Sequence, residues 1–361
     1  MATYPRIVSL ATARPPYTYT QASIAAFACE QMLGPDWPTR PATVQRARQI
    51  ERLFAAATVE ERQGVVEPTD YYQRPRTTGE RMQTYAEASY TLGREALESC
   101  LRGAPGCTAA SITDLAVVSC TGYVAPGLDI LLARDLEMRP DVRRVMVGHM
   151  GCFAAIVGLR QCLAALRVQP AGVAALLSVE LSSLHFAPAD DQELLTLLAL
   201  FGDGAAALLL THDDNATGPQ VVDTYCLADF TTAEQMAWLV TDSGFKMELS
   251  LRVPVTLRRN VRAAVEGLLA PHGLCVGDIA HWLVHPGGPA VLDAIAGRLE
   301  LGAEQMALSR RVLREHGNCS SATVLLILDE LLRSGETRPG EWGVMMAFGP
   351  GLTLETCLLR F

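Results

Sequence analysis

The stretch GHMGCFAA, residues 148–155, sets a cysteine between glycine and an apolar run that continues through Ile156, Leu159, Leu163 and Leu166. That spacing is helical and Gln169-Pro170 ends it, so the pattern reads as a strand turning sharply into a buried helix, with Cys152 at the first turn. Backbone amides at a helix start favour a thiolate, and a nearby imidazole would favour it further, which makes Cys152 a candidate nucleophile near neutral pH. The competing reading is a small buried hydrophobe, the common state of an unpaired cysteine. Two other residues bear on the choice: His285, ending an apolar run in HWLVHPGGPA, and Asn318 in HGNCSSATVLL. Histidine can pass a proton or donate to developing charge, and asparagine offers a fixed amide donor, so together they suit an enolate or a tetrahedral oxyanion. Each also has an ordinary structural reading, a backbone-bonded strand-end histidine and a helix cap.

These side chains are far apart along the chain, so the elements between them must converge. Short apolar runs bounded by turn residues, at 115–120, 144–148, 174–179, 281–284 and 342–347, read as buried strands of a layered α/β protein with helices between them. Three segments recur in the same order in both halves. LDILLARDLEM (128–138) resembles LDAIAGRLEL (292–301), HMGCFAAIVGL (149–159) resembles HGNCSSATVLL (316–326), and LFGDGAAALLL (200–210) resembles AFGPGLTLETCLL (347–359). Their common order points to duplication: a half from 1 to 213 carrying the cysteine and a half from 214 to 361 carrying the histidine and asparagine. HDDNATGPQ, residues 212–220, is polar and turn-rich and suits the junction. If the halves pack about a pseudo-twofold axis, equivalent helix starts meet and bring Cys152 and Asn318 toward one cavity.

Composition narrows the chemistry. With 361 residues, 49% of them hydrophobic, the chain can bury a large core. Its formal net charge of −9 disfavours binding to nucleic-acid backbones. The 10 cysteines include no C-x-x-C pair, and no secretory leader precedes them, so a reducing cytoplasm is expected. The most apolar stretch, 194–210, is interrupted by Asp203 and glycines, so no membrane span is expected. Lys246 is the one lysine, which leaves Schiff-base chemistry a single candidate.

Five motifs, GHMGCFAA, LFGDGAAA, HPGGPAVLD, GNCSSATVLLILDE and AFGPGLTLE, occur in that order, together with SCTGYVAPGLD and IERLFAAATVEER. The pattern resembles the type III polyketide synthases, the chalcone-synthase-like branch of the thiolase superfamily, and is most like bacterial alkylpyrone-forming members. The resemblance implies an α/β thiolase-like fold, a duplicated five-layered αβαβα core with two pseudo-twofold related halves, and a homodimer. It implies that Cys152 accepts an acyl group from acyl-CoA, with His285 as its imidazole partner and Asn318 as second donor. Malonyl-CoA is then decarboxylated, its carbanion condenses with the thioester, and the chain cyclises to an alkylpyrone or small aromatic. No metal or redox cofactor is implied, since CoA thioesters are substrates.

For the cavity, the resemblance implies gating by Phe201 and by Met247, where relatives carry a second aromatic, with Ser320 as a further substrate contact. It makes Cys120 a cavity wall or an extra thiol that assists an intermediate, and His185 and Trp238 bulky replacements that narrow the floor and favour a short polyketide unless another tunnel opens. Arg52, with Arg48 and Arg62 nearby, is expected to hold the CoA phosphates, although Ala56 stands where a lysine is usual; Gly288 and Ala290 would approach the pantetheine arm. Ala125 replaces the methionine that plant relatives send across the dimer. Two rival readings are a ketoacyl synthase III-like enzyme fed by acyl carrier protein and a catalytically silent acyl-CoA-binding partner. HPGGP in place of His-Gln-Ala-Asn argues against the first, and the intact Cys152, His285 and Asn318 against the second.

Overall fold

The computed structural model describes residues 4–186, 192–212, 216 and 218–361. Nine strands form one sheet in the order Ile279–Val284, Trp342–Gly349, Thr353–Arg360, Gln220–Ala228, Arg6–Ala13, Asp203–Thr211, Val173–Leu181, Ile112–Ser119 and Arg143–Gly148. The two sides meet at Arg6 opposite Gln220. On either side of that seam one pairing scheme repeats. Asp203–Thr211 runs antiparallel to both Arg6–Ala13 and Val173–Leu181, and the latter is parallel to Ile112–Ser119. Thr353–Arg360 runs antiparallel to both Gln220–Ala228 and Trp342–Gly349, and the latter is parallel to Ile279–Val284. Arg143–Gly148 extends the first side as its edge strand. Of the polar segment 212–220, residues 213–215 and 217 lie outside those described.

The period of two along each strand sorts its side chains into two cores. Val118, Leu176, Leu208 and Leu210 face the helix Ala154–Val168, while Val117, Leu177, Ala207 and Leu209 face Leu92, Ala96 and Leu97 of the helix Thr78–Arg102. Across the seam, Leu283, Met345 and Leu359 face the helix Thr323–Ser334, while Trp282, Val344 and Leu358 pack on the helices Val253–Leu269 and Pro289–Leu299. The layers are therefore helix, sheet, helix, sheet, helix, a thiolase-like arrangement. Strands covered on both faces are mostly apolar, which is why several of them read as near-continuous runs. Burying each Leu or Val contributes about 1.5–3 kcal/mol, so a one-residue register slip in a central strand is costly.

All five expected runs fall within strands or at their ends. The run criterion passes over Arg6–Ala13, Gln220–Ala228 and Thr353–Arg360, because polar residues interrupt them. One such residue, Glu355, is buried and receives Arg160 from the central helix at 2.7 Å. Residues Gly151–Val168 have the length and hydropathy of a membrane span, but form the middle layer between the two sides of the sheet.

Candidate active site

The strand Arg143–Gly148 ends in a turn with His149 and Gly151 at φ 60° and 78°, which delivers Cys152 in a 3₁₀ turn at the head of Ala154–Val168. Residue 151 must be glycine: its φ is left-handed and a Cβ there would lie 2.5 Å from Pro350 Cδ. Cys319, the counterpart of Cys152 in the second half, lies just ahead of a 3₁₀ turn, Ser320–Ala322, that leads into Thr323–Ser334.

Asn318 is anchored by its backbone, its N–H donating to Leu200 O at 2.8 Å and its O accepting from Gly202 N at 3.0 Å. This pairing seats Phe201 against it. Gly202 has no room for a side chain, since a Cβ would meet His316 O at 2.6 Å. The side chain is oriented as well. Asn318 Oδ1 accepts from Ser320 N at 2.8 Å, which leaves Nδ2 as the donor for the cavity. Asn318 thus makes a local cap-like bond and also presents a fixed amide.

His285 follows the strand Ile279–Val284 and is fully buried, its N–H bonded to Met346 O at 2.9 Å. Neither ring nitrogen has a partner among the described residues, and the Phe348 ring stands edge-on at 5.3 Å. A buried imidazole costs free energy unless something occupies its nitrogens, so this ring is poised for a bound group.

Cys152, His285 and Asn318 line one cavity of about 40 Å³, together with Phe201, Trp238, Met247, Met236, Leu249, Phe348 and the 349–350 turn. The expected pull of helix amides and a nearby imidazole toward a thiolate is outweighed here. Burial is the largest influence and pushes the Cys152 thiol up to about 12, with hydrogen bonds from Ser320 and Asn318 pulling the other way. Burial also pushes the His285 imidazole down to about 3. Each group alone is held neutral by desolvation.

The hairpin of Met236–Thr241 and Gly244–Leu249 sets Trp238 directly opposite Met247. Phe201, Trp238 and Met247 line both the nucleophile's cavity and a second one of about 230 Å³ beyond it. Trp238 therefore stands between the narrowed cavity and further space beyond it, the alternative of another opening. His185 lines the second chamber. Its Nε2 faces Thr121 O at 2.7 Å, its Nδ1 accepts from Phe245 N–H at 3.0 Å, and its ring stacks on Phe245 at 4.5 Å. Burial lowers its pKa to about 4, so it is a fixed neutral wall.

Three further expectations change. Arg62 is fully buried and donates to the carbonyls of Leu198, Ala199 and Phe201 and to Gln21, so it braces the 198–201 segment and does not face a CoA phosphate. Cys120 is not on the cavity wall. Its sulfur accepts from Gly151 N at 3.0 Å, supporting the turn beneath Cys152, and burial raises its pKa well above that of a free thiol. Ser320 is buried behind Asn318 and approaches the Cys152 sulfur from outside the cavity lining.

A third cavity of about 290 Å³ shares Met236, Leu249, Gly287 and Phe348 with the nucleophile's and opens beside Leu53, Ala56, Leu251, Gly288 and Ala290. Arg48 and Arg52 are exposed on the helix Pro41–Ala56, two turns and one turn before Ala56, on the stripe that leads to this mouth.

Sequence reasoning missed Glu180. It is fully buried, and its carboxylate accepts from Cys120 N at 2.9 Å, Thr121 Oγ1 at 2.8 Å and Ser321 Oγ. It thereby ties the 120–121 turn of one half to the turn after Asn318 in the other. The only signal was a carboxylate in the apolar run VAALLSVEL, an exception that calls for partners.

Two family models match the chain: chalcone and stilbene synthases, N-terminal domain, over residues 51–214, and chalcone and stilbene synthases, C-terminal domain, over residues 228–361. A 1,3,6,8-tetrahydroxynaphthalene synthase of Streptomyces peucetius subsp. caesius is 35% identical, covering 98% of this chain and 93% of its own. The alpha-pyrone synthesis polyketide synthase-like Pks18 of Mycobacterium tuberculosis is 31% identical over 98% of this chain and 90% of its own. Among solved structures, PKS-I of the brown alga Ectocarpus siliculosus superposes with a TM-score of 0.91 at 26% identity, covering 100% of this chain and 99% of that one.

Proposed function

Since the chain belongs to the chalcone and stilbene synthase family, the type III polyketide synthases, we propose that Cys152 is its acyl-accepting nucleophile, with His285 and Asn318 holding the developing charge. The observation that carries this is the meeting of those three side chains around one small cavity at the inner end of a wider mouth. In the loading step the Cys152 sulfur attacks the acyl-CoA carbonyl, its proton passes through His285 to the departing CoA thiolate, and acyl-Cys152 forms with release of CoA-SH. Malonyl-CoA then loses carbon dioxide, and the electron pair left behind becomes an enolate. Asn318 Nδ2 and a ring N–H of His285 donate to its oxygen. The enolate carbon attacks the acyl carbonyl, a carbon–carbon bond forms, and the Cys152 sulfur leaves, ready for another load. These bond changes balance without a metal or redox group, CoA thioesters entering as substrates.

The mouth beside Gly288 and Ala290 suits the pantetheine arm, with Arg52 and Arg48 on its rim for phosphates. The halves 1–213 and 214–361 then each supply part of one site. Incubation with a panel of acyl-CoAs and malonyl-CoA, without carrier protein, followed by product mass analysis, tests the reading. Absence of any condensed product across short and long chains would reject it.

The product class is an alkylpyrone or small aromatic, with its length set at the Trp238 partition. Trp238→Gly is expected to join the chambers of about 40 and 230 Å³ and to shift products toward longer chains. An unchanged product distribution from a variant that still loads acyl groups counts against a partition role.

A homodimer is supported by the unpaired edge strand Arg143–Gly148, which leaves Val145 and Met146 exposed with Ile130, Tyr123 and Met150. Ala125 is too short to reach a partner's cavity. Met146→Asp is expected to shift sedimentation from dimer to monomer; wild-type protein that sediments as a monomer at micromolar concentration would refute the pairing. The ten free thiols accord with a cytoplasmic enzyme.

A further inference from the structure

Phe230, Val255 and Leu251 are 82%, 72% and 71% exposed, among the most exposed large apolar side chains in the described chain, and they gather at one place. Leu251 lines the entrance cavity and stands on its rim. Val255 follows it by one helical turn on Val253–Leu269. Phe230 is brought alongside because its neighbour Asp229 accepts from Asn260 Nδ2 at 3.0 Å and from Arg259, one turn past Val255, while Thr256 Oγ1 donates to Gln235 Oε1 at 2.9 Å. A contiguous apolar patch beside an entrance marks an interaction surface.

Arginines border it on the side of the mouth. Arg252 stands between Leu251 and Val253, both of which line the entrance, and Arg258 lies one turn beyond Pro254, which also lines it. Arg48 and Arg52 stand across the mouth. All four are exposed, and none makes an ion pair among the described residues. In a chain of formal net charge −9, unpaired arginines around an apolar patch fit an acidic partner.

We infer that this rim docks an acidic acyl carrier protein, which delivers the starter acyl group on its pantetheine arm directly to Cys152. The inference rests on the condensing reading above and adds a second form of substrate delivery to it. Anything covering the rim also covers the entrance, so it must send its substrate inward on an arm; a bilayer lying over the same patch would close the passage to CoA thioesters. The transfer is a thioester exchange. The Cys152 sulfur bonds to the acyl carbon, the bond from that carbon to the carrier's pantetheine sulfur breaks, and the thiol proton moves to the departing sulfur, giving acyl-Cys152 and free holo-carrier.

The test compares loading of Cys152, read by intact-protein mass, from three thioesters of one acyl chain: CoA, free pantetheine and holo acyl carrier protein of the fatty-acid synthesis type. The carrier is expected to load at least about tenfold more efficiently than pantetheine. Val255→Glu and Arg258→Glu, which lie outside the cavity lining, should each remove about that advantage while changing loading from CoA by less than about twofold. Added salt should lower the carrier rate most, and Arg258→Lys should retain most of it. Equal efficiencies for carrier and pantetheine, or variants that depress loading from CoA and carrier alike, would overturn the docking role. Sedimentation of wild-type protein with anionic phospholipid vesicles, abolished by Val255→Glu, would assign the patch to a membrane and also overturn it. Loading from CoA by wild-type protein separates these outcomes from failure of the condensing reading, in which no thioester would load.

Discussion

Cys152→Ala is expected to abolish the acyl adduct and to lower product formation at least about 10³-fold, the scale of removing a covalent nucleophile. Intact-protein mass after mixing with acyl-CoA measures the first quantity and product yield the second. Decarboxylation of malonyl-CoA should persist in part if His285 and Asn318, which still line the cavity, are the enolate donors as proposed. The variant should fold normally, since Ala154, Ala155 and Ile156 supply the buried face of that helix. An adduct that survives in Cys152→Ala would place the acyl group elsewhere. Cys120 is the obvious second site, as its sulfur lies under the same turn. Its burial and raised pKa argue that it stays protonated and silent.

Asn318→Asp exchanges groups of the same shape and separates the two half-reactions in the opposite sense. One carboxylate oxygen keeps the bond from Ser320 N at 2.8 Å; the other replaces Nδ2 and turns a donor into an acceptor beside a forming enolate. Loss of a preorganised oxyanion donor typically costs about 10²–10³ in rate, and the added negative charge works in the same direction. Release of labelled carbon dioxide from malonyl-CoA should fall by that factor. Acyl loading of Cys152 should change by less than about tenfold, because the nucleophile and its imidazole are retained. If decarboxylation is unchanged while loading collapses, Asn318 acts on the thiol and not on the enolate.

Neither experiment depends on unusual ionisation at rest. Burial disfavours charge on Cys152 and on His285 separately, so the proton need move only as the substrate carbonyl is attacked. Glu180 stands one shell further out, joining Cys120, Thr121 and Ser321 through a single carboxylate. It keeps the turns from the two halves in register. A buried carboxylate stripped of these partners would be costly, which makes it a positioning residue.

The amino-acid order by itself marked Cys152, His285 and Asn318 as candidates, because each sits in a short motif that resembles the type III polyketide synthases and such motifs are local properties of the chain. Repetition of those motifs also revealed the doubled architecture, since period and order survive without coordinates. Partner and dielectric are different quantities, set by segments hundreds of positions away. Arg48, Arg52 and Arg62 are alike in a list of arginines, yet Arg62 is enclosed by the carbonyls of 198–201 while the other two face solvent. Trp238 became a wall between two chambers only because its hairpin, from the second half, joins Phe201, from the first, in lining both. The neutral resting state of the thiol came from burial under both halves at once, a desolvation that no single stretch of residues encodes.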